Sequence, residues 1–368
     1  MKVLYVATVV RTHIMEFHIP YLKMLKDMGC ETYVAAKNDY DCADDCLIPY
    51  CDHYYDVPFE RSPFSFKNLK AYKQLKNIID QNHFDIIHCH TPVGALLTRL
   101  ASKKARKNGS KVIYTAHGFH FYKGAPFLNW LLYYPAERML ARLTDVLITI
   151  NTEDYNRAKS FKAKRVEYIP GIGINLSKFN RLEFDKVVHL RDEFGIPRNA
   201  KVLLSVGEVN KNKNHKVVIE AMSRIDNDLW YVVCGKGPLI SELIGLSKKL
   251  GVSDRVIFAG YRTDVLDFYS FADVFVFPSF REGLPVALME AMSTKLVCIA
   301  ARNRGTNDLL KNSKLLFDPS DVNALVDKLK LAISIDCSDE IRNNYDHLSE
   351  FDIKNTLELV KAIYFNDQ

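Results

Sequence analysis

The chain has 368 residues, of which 48% are hydrophobic and 26% charged, and its formal net charge is +6 at pH 7. This composition excludes a disordered or fibrous chain, and the length suggests about two globular domains. The charge is uneven, since residues 1–172 carry 24 basic and 17 acidic side chains, whereas residues 173–368 carry 26 and 27. No helix-turn-helix, zinc-finger or RNA-binding signature accompanies the basic half, so we expect no nucleic-acid partner.

The first half of the chain alternates between strand and helix signals. The opening run MKVLYVATVV is too short for a membrane span and lacks the cleavage region of a signal peptide, so it predicts a buried strand. The predicted strands are 3–8, 32–36, 86–90, 111–116 and 146–151, and the predicted helices are about 17–28, 67–81 and 94–108. Such alternation predicts a doubly wound parallel sheet.

A second alternating series begins at residue 201, after the run IPGIGI and a polar stretch interrupt the first series. Strands are predicted at 202–206, 230–234, 256–259 and 274–277, with helical segments between them. We therefore predict an α/β protein with two Rossmann-like domains. The predicted boundaries are 1–172 for the N-terminal domain, 173–349 for the C-terminal domain, and 350–368 for a final helix that returns to the first domain.

The segment ADVFVFPSFREGLPVALMEAM, residues 272–292, joins an apolar strand to a helix through a turn. In parallel α/β sheets ligands bind beyond the carboxyl ends of the strands, and the unpaired amides at a helix start favour phosphate. Glu282 lies in the turn and Glu290 in the second turn of the helix, so both carboxylates can reach one docked ligand. One can hold a sugar hydroxyl and the other a ribose, which predicts a site for a nucleotide-linked sugar.

This string resembles the signature of retaining glycosyltransferases of family 4, which have the GT-B fold, two Rossmann-like domains with parallel sheets facing a central cleft. The resemblance covers nearly the whole chain. It implies that Glu282 contacts hydroxyls of the donor sugar and that Glu290 contacts the ribose of the nucleotide. The run NKNKNH at 210–215 is similar to one in exopolysaccharide and capsule transferases.

The turn after the strand at 202–206 is predicted to hold the donor phosphates, because Lys213 can neutralise them and a glycine permits close approach. The family usually has an arginine and a lysine here, but Glu208 stands where the arginine is usual. Either Lys211 or Arg281 takes over, or, as we prefer, the lysine and the helix dipole suffice. The other predicted donor-site residues are Gly207, Gly237, Gly283, Leu284 and Arg262. The resemblance implies that Arg262 lies beside the base.

The block IYTAHGFHFYKGAPFLNWLLYYPAERMLARLTDVLITINTEDY also resembles this transferase subgroup. The resemblance implies that His117, at the carboxyl edge of the first sheet, orients the donor sugar from the opposite wall of the cleft. His120 either faces the acceptor or is structural. In the first loop, where many relatives have paired glycines, Arg11, Thr12 and His13 either bind an anionic acceptor such as a lipid diphosphate or cap the following helix.

Two features favour a membrane surface without requiring it. The basic cluster at 103–111 suits anionic lipid, although a solvated helix face explains it equally well. Trp130, Tyr133 and Tyr134 beside Arg138 and Arg142 suit a headgroup layer, although packing in the core is the stronger alternative.

We expect no metal. The pair Asp226 and Asp228 precedes a strand, on the wrong edge of the sheet, and predicts a polar turn. The eight cysteines include no CxxC pair, and the segment with Cys42, Cys46, Cys51 and His53 matches no common zinc pattern. Free cysteines in this pattern favour a reducing cytoplasm.

The sequence therefore predicts a cytoplasmic glycosyltransferase, peripheral on the inner face of the membrane. It is expected to move a hexose or N-acetylhexosamine from a UDP-sugar to a polyprenyl-diphosphate-linked saccharide in capsule, exopolysaccharide or O-antigen assembly. In this prediction Glu282, His117 and Lys213 are the catalytic residues, and no cofactor is expected. The alternatives are a UDP-sugar 2-epimerase of the same fold and a non-catalytic nucleotide-binding partner, which the glutamate at position 208 supports.

Overall fold

The computed structural model describes residues 1–179, 184–225, 228–311 and 313–365. The predicted turn at Asp226 and the last three residues of the predicted final helix lie outside these ranges. The chain divides into two compact units. The first unit comprises Met1–Gly173 and Lys354–Gln368, and the second unit comprises Ile174–Ile353.

The first unit is built on a sheet of seven parallel strands. The strands are β1 (Lys2–Val9), β2 (Glu31–Lys37), β3 (His53–Asp56), β4 (Ile86–Cys89), β5 (Lys111–Ala116), β6 (Val146–Thr149) and β7 (Arg165–Tyr168). They lie in the order β3-β2-β1-β4-β5-β6-β7. The helices are α1 (Met15–Phe17), α2 (Ile19–Asp27), α3 (Lys67–Asn82), α4 (Pro92–Ala101), α5 (Lys103–Lys107), α6 (Phe127–Ala141) and α7 (Thr152–Ala158).

The second unit is built on a sheet of six parallel strands. The strands are β8 (Lys201–Val206), β9 (Leu229–Cys234), β10 (Val256–Gly260), β11 (Val274–Phe277), β12 (Val297–Ala301) and β13 (Leu316–Phe317). They lie in the order β10-β9-β8-β11-β12-β13. The helices are α8 (Phe184–Glu193), α9 (His215–Met222), α10 (Ile240–Lys249), α11 (Val265–Phe271), α12 (Val286–Ser293), α13 (Arg304–Leu309), α14 (Val322–Ser334) and α15 (Ser338–Leu348).

The central strands are apolar at successive positions because both faces of each sheet are covered. In β8, Leu204 packs into one apolar cluster, whereas its neighbour Leu203 packs into another on the opposite face. β11 is buried at all four positions. Each strand therefore delivers the loop at its carboxyl end from a fixed position.

The last helix, α16 (Ile353–Phe365), follows the second unit in sequence, but from Lys354 onwards it belongs to the first unit. The hydroxyl of Tyr364 lies 2.6 Å from the hydroxyl of Tyr5 in β1 and 2.5 Å from Nδ1 of His88 in β4. The ammonium of Lys111 donates to the carbonyl oxygen of Ile363. These polar contacts attach the helix to the first sheet.

Among the described residues, no helix combines the length and the apolar character needed to cross a membrane. The eight cysteines are free thiols.

Candidate active site

In the second unit, the loops that follow β8 and β11 are tied to each other by hydrogen bonds. The amide of Phe280 donates to the carbonyl oxygen of Asn212 at 2.9 Å, and the side chain of Asn212 donates to the carbonyl oxygen of Arg281 at 3.1 Å. The side chain of Asn214 donates to the carbonyl oxygen of Pro278 at 3.3 Å. These bonds fix the NKNKNH run beside the turn that contains Glu282.

The Lys213 ammonium lies 2.8 Å from Oε1 of Glu282, and the two side chains are 22% and 16% exposed. The same ammonium lies 5.0 Å from the centre of the Phe277 ring. An ammonium has three N–H donors, so a lysine that gives one to a carboxylate can direct the others at an anion. The structure thus brings together two of the three predicted catalytic residues.

Glycines make room for this arrangement. Gly207 has φ +149°, and a Cβ at this position would lie 3.2 Å from Cε of Lys213. A Cβ on Gly235 would lie 1.8 Å from the carbonyl oxygen of Gly207. A Cβ on Gly237 would lie 2.2 Å from the carbonyl oxygen of Val209. The backbones after β8 and β9 therefore pack closer than any larger residue allows.

Glu290 lies in α12 and accepts a hydrogen bond of 2.8 Å from the hydroxyl of Tyr269. Burial raises the pKa of Tyr269, and the carboxylate of Glu290 adds to the rise, so this hydroxyl keeps its proton and acts as donor. Gly283 and Leu284 lie just before α12. The carbonyl oxygen of Gly283 lies 2.6 Å from where a Cβ of Gly305 would stand, so the start of α13 packs on this turn.

The guanidinium of Arg262 contacts both carboxylate oxygens of Asp264, at 2.8 and 2.5 Å. It also lies 4.9 Å from the centre of the Phe268 ring. The residue predicted to lie beside the base is therefore held in one orientation by a bidentate ion pair.

Sequence reasoning missed a cation at this site. Glu208, Lys211 and Arg281 are all exposed. Arg304, the first residue of α13, instead donates from Nε to the carbonyl oxygen of Glu282 at 3.0 Å. The sequence signal for Arg304 is its position directly after β12. That signal points to this site only when β12 is known to lie next to β11.

In the first unit, His117 lies in a cluster with His13, His18 and His90, which we call the histidine cluster. Nδ1 of His90 lies 3.2 Å from Nε2 of His117. Burial lowers the pKa of His117 to about 4, which favours the neutral ring. His18 and His90 were missed by sequence reasoning. His90 ends the predicted strand 86–90, but only the strand order shows that this end lies beside His117.

The other predicted acceptor residues have partners within the first unit. The backbone amide of Arg11 and the hydroxyl of Thr12 both bind the carboxylate of Asp39, at 2.6 and 3.2 Å. Thr12 therefore contacts the loop after β2. His18, the N-cap residue of α2, makes no side-chain capping hydrogen bond. The ring of His120 stacks on Tyr133 at 4.7 Å.

The three aromatic residues of helix α6 that the headgroup interpretation places at a lipid surface are partly buried. Trp130, Tyr133 and Tyr134 pack against the core of the first unit, as the alternative interpretation predicted. The apolar side chains that α6 exposes are instead Phe127, Leu128, Leu131, Leu132 and Met139.

Comparisons with known proteins agree with this architecture. Residues 189–347 match the family model for glycosyl transferases group 1, and residues 2–151 match the model for glycosyl transferase 4-like proteins. The chain is 42% identical over 318 residues to EpsD of Bacillus subtilis (strain 168), a protein assigned to the glycosyltransferases with no named substrate. The match covers 85% of this chain and 82% of EpsD.

The chain is also 29% identical over 309 residues to the UDP-Gal:alpha-D-GlcNAc-diphosphoundecaprenol alpha-1,3-galactosyltransferase of Escherichia coli, and the match covers 78% of each protein. The crystal structure of Anabaena Alr3699/HepE in complex with UDP and glucose has a TM-score of 0.80 at 18% identity and covers 99% of both chains. The predicted α/β fold of the GT-B type and the predicted family are confirmed. This chain belongs to the family 4 glycosyltransferases, in the group that includes EpsD.

Proposed function

We propose that the protein transfers a hexose or N-acetylhexosamine from a UDP-sugar to a polyprenyl-diphosphate-linked saccharide, with retention of the anomeric configuration. The observation that carries the proposal is the pairing of Lys213 with Glu282 at the strand ends of the second unit. Two relatives support the substrate classes. Alr3699/HepE has been crystallised with UDP and glucose, and the E. coli relative is named for UDP-Gal and a diphosphoundecaprenol acceptor.

The second unit is proposed to bind the donor. Lys213 and the amides of Gly283 and Leu284 stabilise the negative charge that develops on the departing diphosphate. Glu282 holds hydroxyls of the sugar while its contact with Lys213 fixes both side chains. Glu290, held by Tyr269, accepts hydrogen bonds from the ribose.

Arg304 is proposed as the second phosphate cation, in place of the arginine that Glu208 replaces. Its guanidinium donates to the backbone of Glu282, so a second positive charge lies beside the turn that carries the sugar-binding carboxylate. Two cations offset the diphosphate charge without a divalent ion, so we expect transfer without added magnesium or manganese.

Retention is proposed to follow from attack on the face that the diphosphate leaves, with the departing phosphate taking the acceptor proton. We assign no carboxylate base. The first unit is proposed to bind the acceptor through Arg11, Thr12, His13 and His120, and His117 keeps its predicted contact with the donor sugar.

Helix α6 is proposed to bring the protein to the membrane that holds the lipid-linked acceptor. Phe127, Leu128, Leu131 and Leu132 repeat at intervals of one, three and one residues, so they share one face of the helix, and all four are exposed. Exposed apolar patches of this kind mark surfaces that bind lipid or protein. Replacing Leu128 and Leu131 by Asp is expected to abolish cosedimentation with anionic vesicles, and unchanged binding would exclude this face.

The test of the function is a panel of UDP-sugars, with and without polyprenyl-linked saccharides, in which UDP release is measured and the products are analysed by mass spectrometry and NMR. We expect release that depends on the lipid-linked acceptor, and an α-linked product from an α-linked donor. Isomerised sugar without release would instead identify an epimerase. Absence of both would support a non-catalytic nucleotide-binding protein.

A further inference from the structure

The histidine cluster is assembled from three strand ends of the first unit. His13 lies in the π-helical turn Val10–Ile14 that follows β1, and His18 precedes α2. His90 directly follows β4, and His117 directly follows β5. One ring nitrogen from each of the four lies within 4.8 Å of those of the other three.

Three of these rings carry a buried nitrogen without a partner. Among the described residues, no hydrogen-bond partner lies near Nε2 of His13, His18 or His90. His88 of the neighbouring strand differs, because its two ring nitrogens contact Tyr364 and Thr115. A buried polar atom without a partner costs free energy, so three at one place indicate that the cluster has an occupant.

The chemistry of the cluster favours a transition-metal cation. Imidazole is a preferred ligand of zinc, copper and nickel, and it binds them as the neutral ring that burial favours. The nitrogens that the four residues offer all lie within 4.8 Å of one another, so they converge on one point where a single ion can sit.

The space beside the rings is small. His18, His90 and His117 border a cavity of about 20 Å³. A cavity needs about 10–15 Å³ on this measure to hold one water molecule, so there is room for one ion or water but not for a sugar.

We propose that His13, His18, His90 and His117 bind one divalent transition-metal ion, with zinc as the best fit. Four protein ligands leave no open coordination position, as in structural zinc sites. The ion then has a structural role, since it ties the turn after β1 to the ends of β4 and β5. That turn also contains Arg11 and Thr12, so the metal holds their backbone in place.

The proposal changes the expectation that the chain binds no metal. That expectation relied on local spacing, and these ligands lie at positions 13, 18, 90 and 117, which match no spacing motif. The proposal also constrains His13 and His117. One nitrogen of each ring binds the metal, so only the other nitrogen remains for the proposed contact with the acceptor or the donor sugar. It does not depend on the transferase function, since metal binding is measured without any sugar.

The first test is the metal content of the full chain, purified without a polyhistidine tag and without chelators, by inductively coupled plasma mass spectrometry. We expect close to one zinc ion per chain. After removal of the zinc, titration with Co²⁺ is expected to produce the intense visible bands of tetrahedral cobalt, with saturation at one equivalent. A chain that carries no metal and gives no such bands would overturn the proposal.

The second test compares His18→Gln and His90→Gln with His215→Gln as the matched control. His215 is a buried histidine of the second unit whose Nε2 also has no described partner. Loss of one ligand is expected to weaken Co²⁺ binding by more than the roughly 10-fold to 100-fold that loss of an outer hydrogen bond causes. Equal binding by all three variants would contradict the assignment. If the ligand variants do not fold, the Co²⁺ spectrum of the unmodified chain decides.

Discussion

Each unit contains a short ion pair between a cation and a glutamate, but the two pairs use their donors differently. In the first unit, the fully buried Arg99 of α4 directs two guanidinium nitrogens at the carboxylate of Glu137 in α6, at 2.8 and 3.1 Å. Its third nitrogen, Nε, donates to the carbonyl oxygen of Ala95 at 3.0 Å. In the second unit, Lys213 and Glu282 share a single contact of 2.8 Å and both remain partly exposed.

The contact distance therefore does not distinguish a structural pair from a binding pair. Arg99 is held in a fixed bidentate geometry, so its pair joins two helices and can accept no ligand without breaking. Lys213 is a point charge with donors to spare, so its pair positions a cation for an anion that arrives later. The number of donors already used in the unliganded chain is the more informative quantity.

The largest expected effect comes from breaking the structural pair. Glu137→Gln leaves the buried charge of Arg99 without a counter-ion, which should lower the free energy of unfolding by about 3–5 kcal/mol. Urea unfolding, followed by Trp130 fluorescence in a Trp230→Phe background, reports on the first unit. Asp27→Asn is the matched control, because it removes the exposed pair between Lys23 and Asp27 and should change stability by less than about 1 kcal/mol. Equal losses in the free energy of unfolding would mean that burial does not determine how much an ion pair contributes to stability.

Breaking the binding pair should lower the rate of transfer more than the stability. Lys213→Met removes the proposed phosphate cation, so kcat should fall by about 10²-fold to 10³-fold, the typical effect of losing one donor to a developing negative charge. The melting temperature should fall less than in Glu137→Gln, since Lys213 and Glu282 are 22% and 16% exposed whereas Arg99 is fully buried. Lys211→Met, in the same loop but exposed, should retain activity. Loss of activity in both variants would show that transfer depends on the loop as a whole and not on the side chain at position 213.

The third prediction concerns pH and the same loop. Burial lowers the pKa of His215, at the start of α9, to about 4. The unfolded chain takes up a proton near the usual pKa of about 6.5, whereas the folded chain does so near 4. Stability is therefore complete above pH 6.5 and declines by about 3 kcal/mol as the pH falls to 4. In urea unfolding between pH 7 and 4.5, His215→Gln should remove this part of the dependence of the unfolding free energy on pH. An unchanged dependence would mean that other groups cause it.

The smallest expected effect tests neutral hydrogen bonds in the first unit. Tyr364→Phe removes the hydroxyl that contacts both Tyr5 and His88. The free energy of unfolding should fall by about 1–2 kcal/mol, because two buried groups lose a partner but no charge is left unpaired. A loss as large as that of Glu137→Gln would weaken the contrast between charged and neutral contacts.

The central strands of both sheets could be predicted from the sequence because each is a continuous apolar run. Three of the strands that were missed, β3, β7 and β13, lie at the edges of the sheets. β3 has no buried residue and β7 only partly buried ones, so neither gives an apolar pattern. β12 was also missed, although it is apolar. The predicted helix at 94–108 is interrupted at Ser102, where α4 ends and α5 begins.

The residues of the candidate sites also divide into those that the local sequence predicts and those that depend on the strand order. The pairing of Lys213 with Glu282 could be expected from local strings that resemble one family. Arg304 could not, because its contact with the backbone of Glu282 depends on which strand lies beside β11. His18 and His90 could not either, since the order β1-β4-β5 brings them to His117. Strand order is a long-range property that local spacing does not encode.

The return of α16 to the first unit has a consequence for biosynthesis. The 180 residues from Ile174 to Ile353 separate the two parts of that unit. At translation rates of about 5–20 residues per second, the ribosome needs roughly 10–40 seconds to make them. During that interval the nascent first unit holds Tyr5 and His88 without the hydroxyl of Tyr364. Chaperones that bind nascent chains have this window in which to act, and a ribosome that stalls within the second unit leaves the first one incomplete.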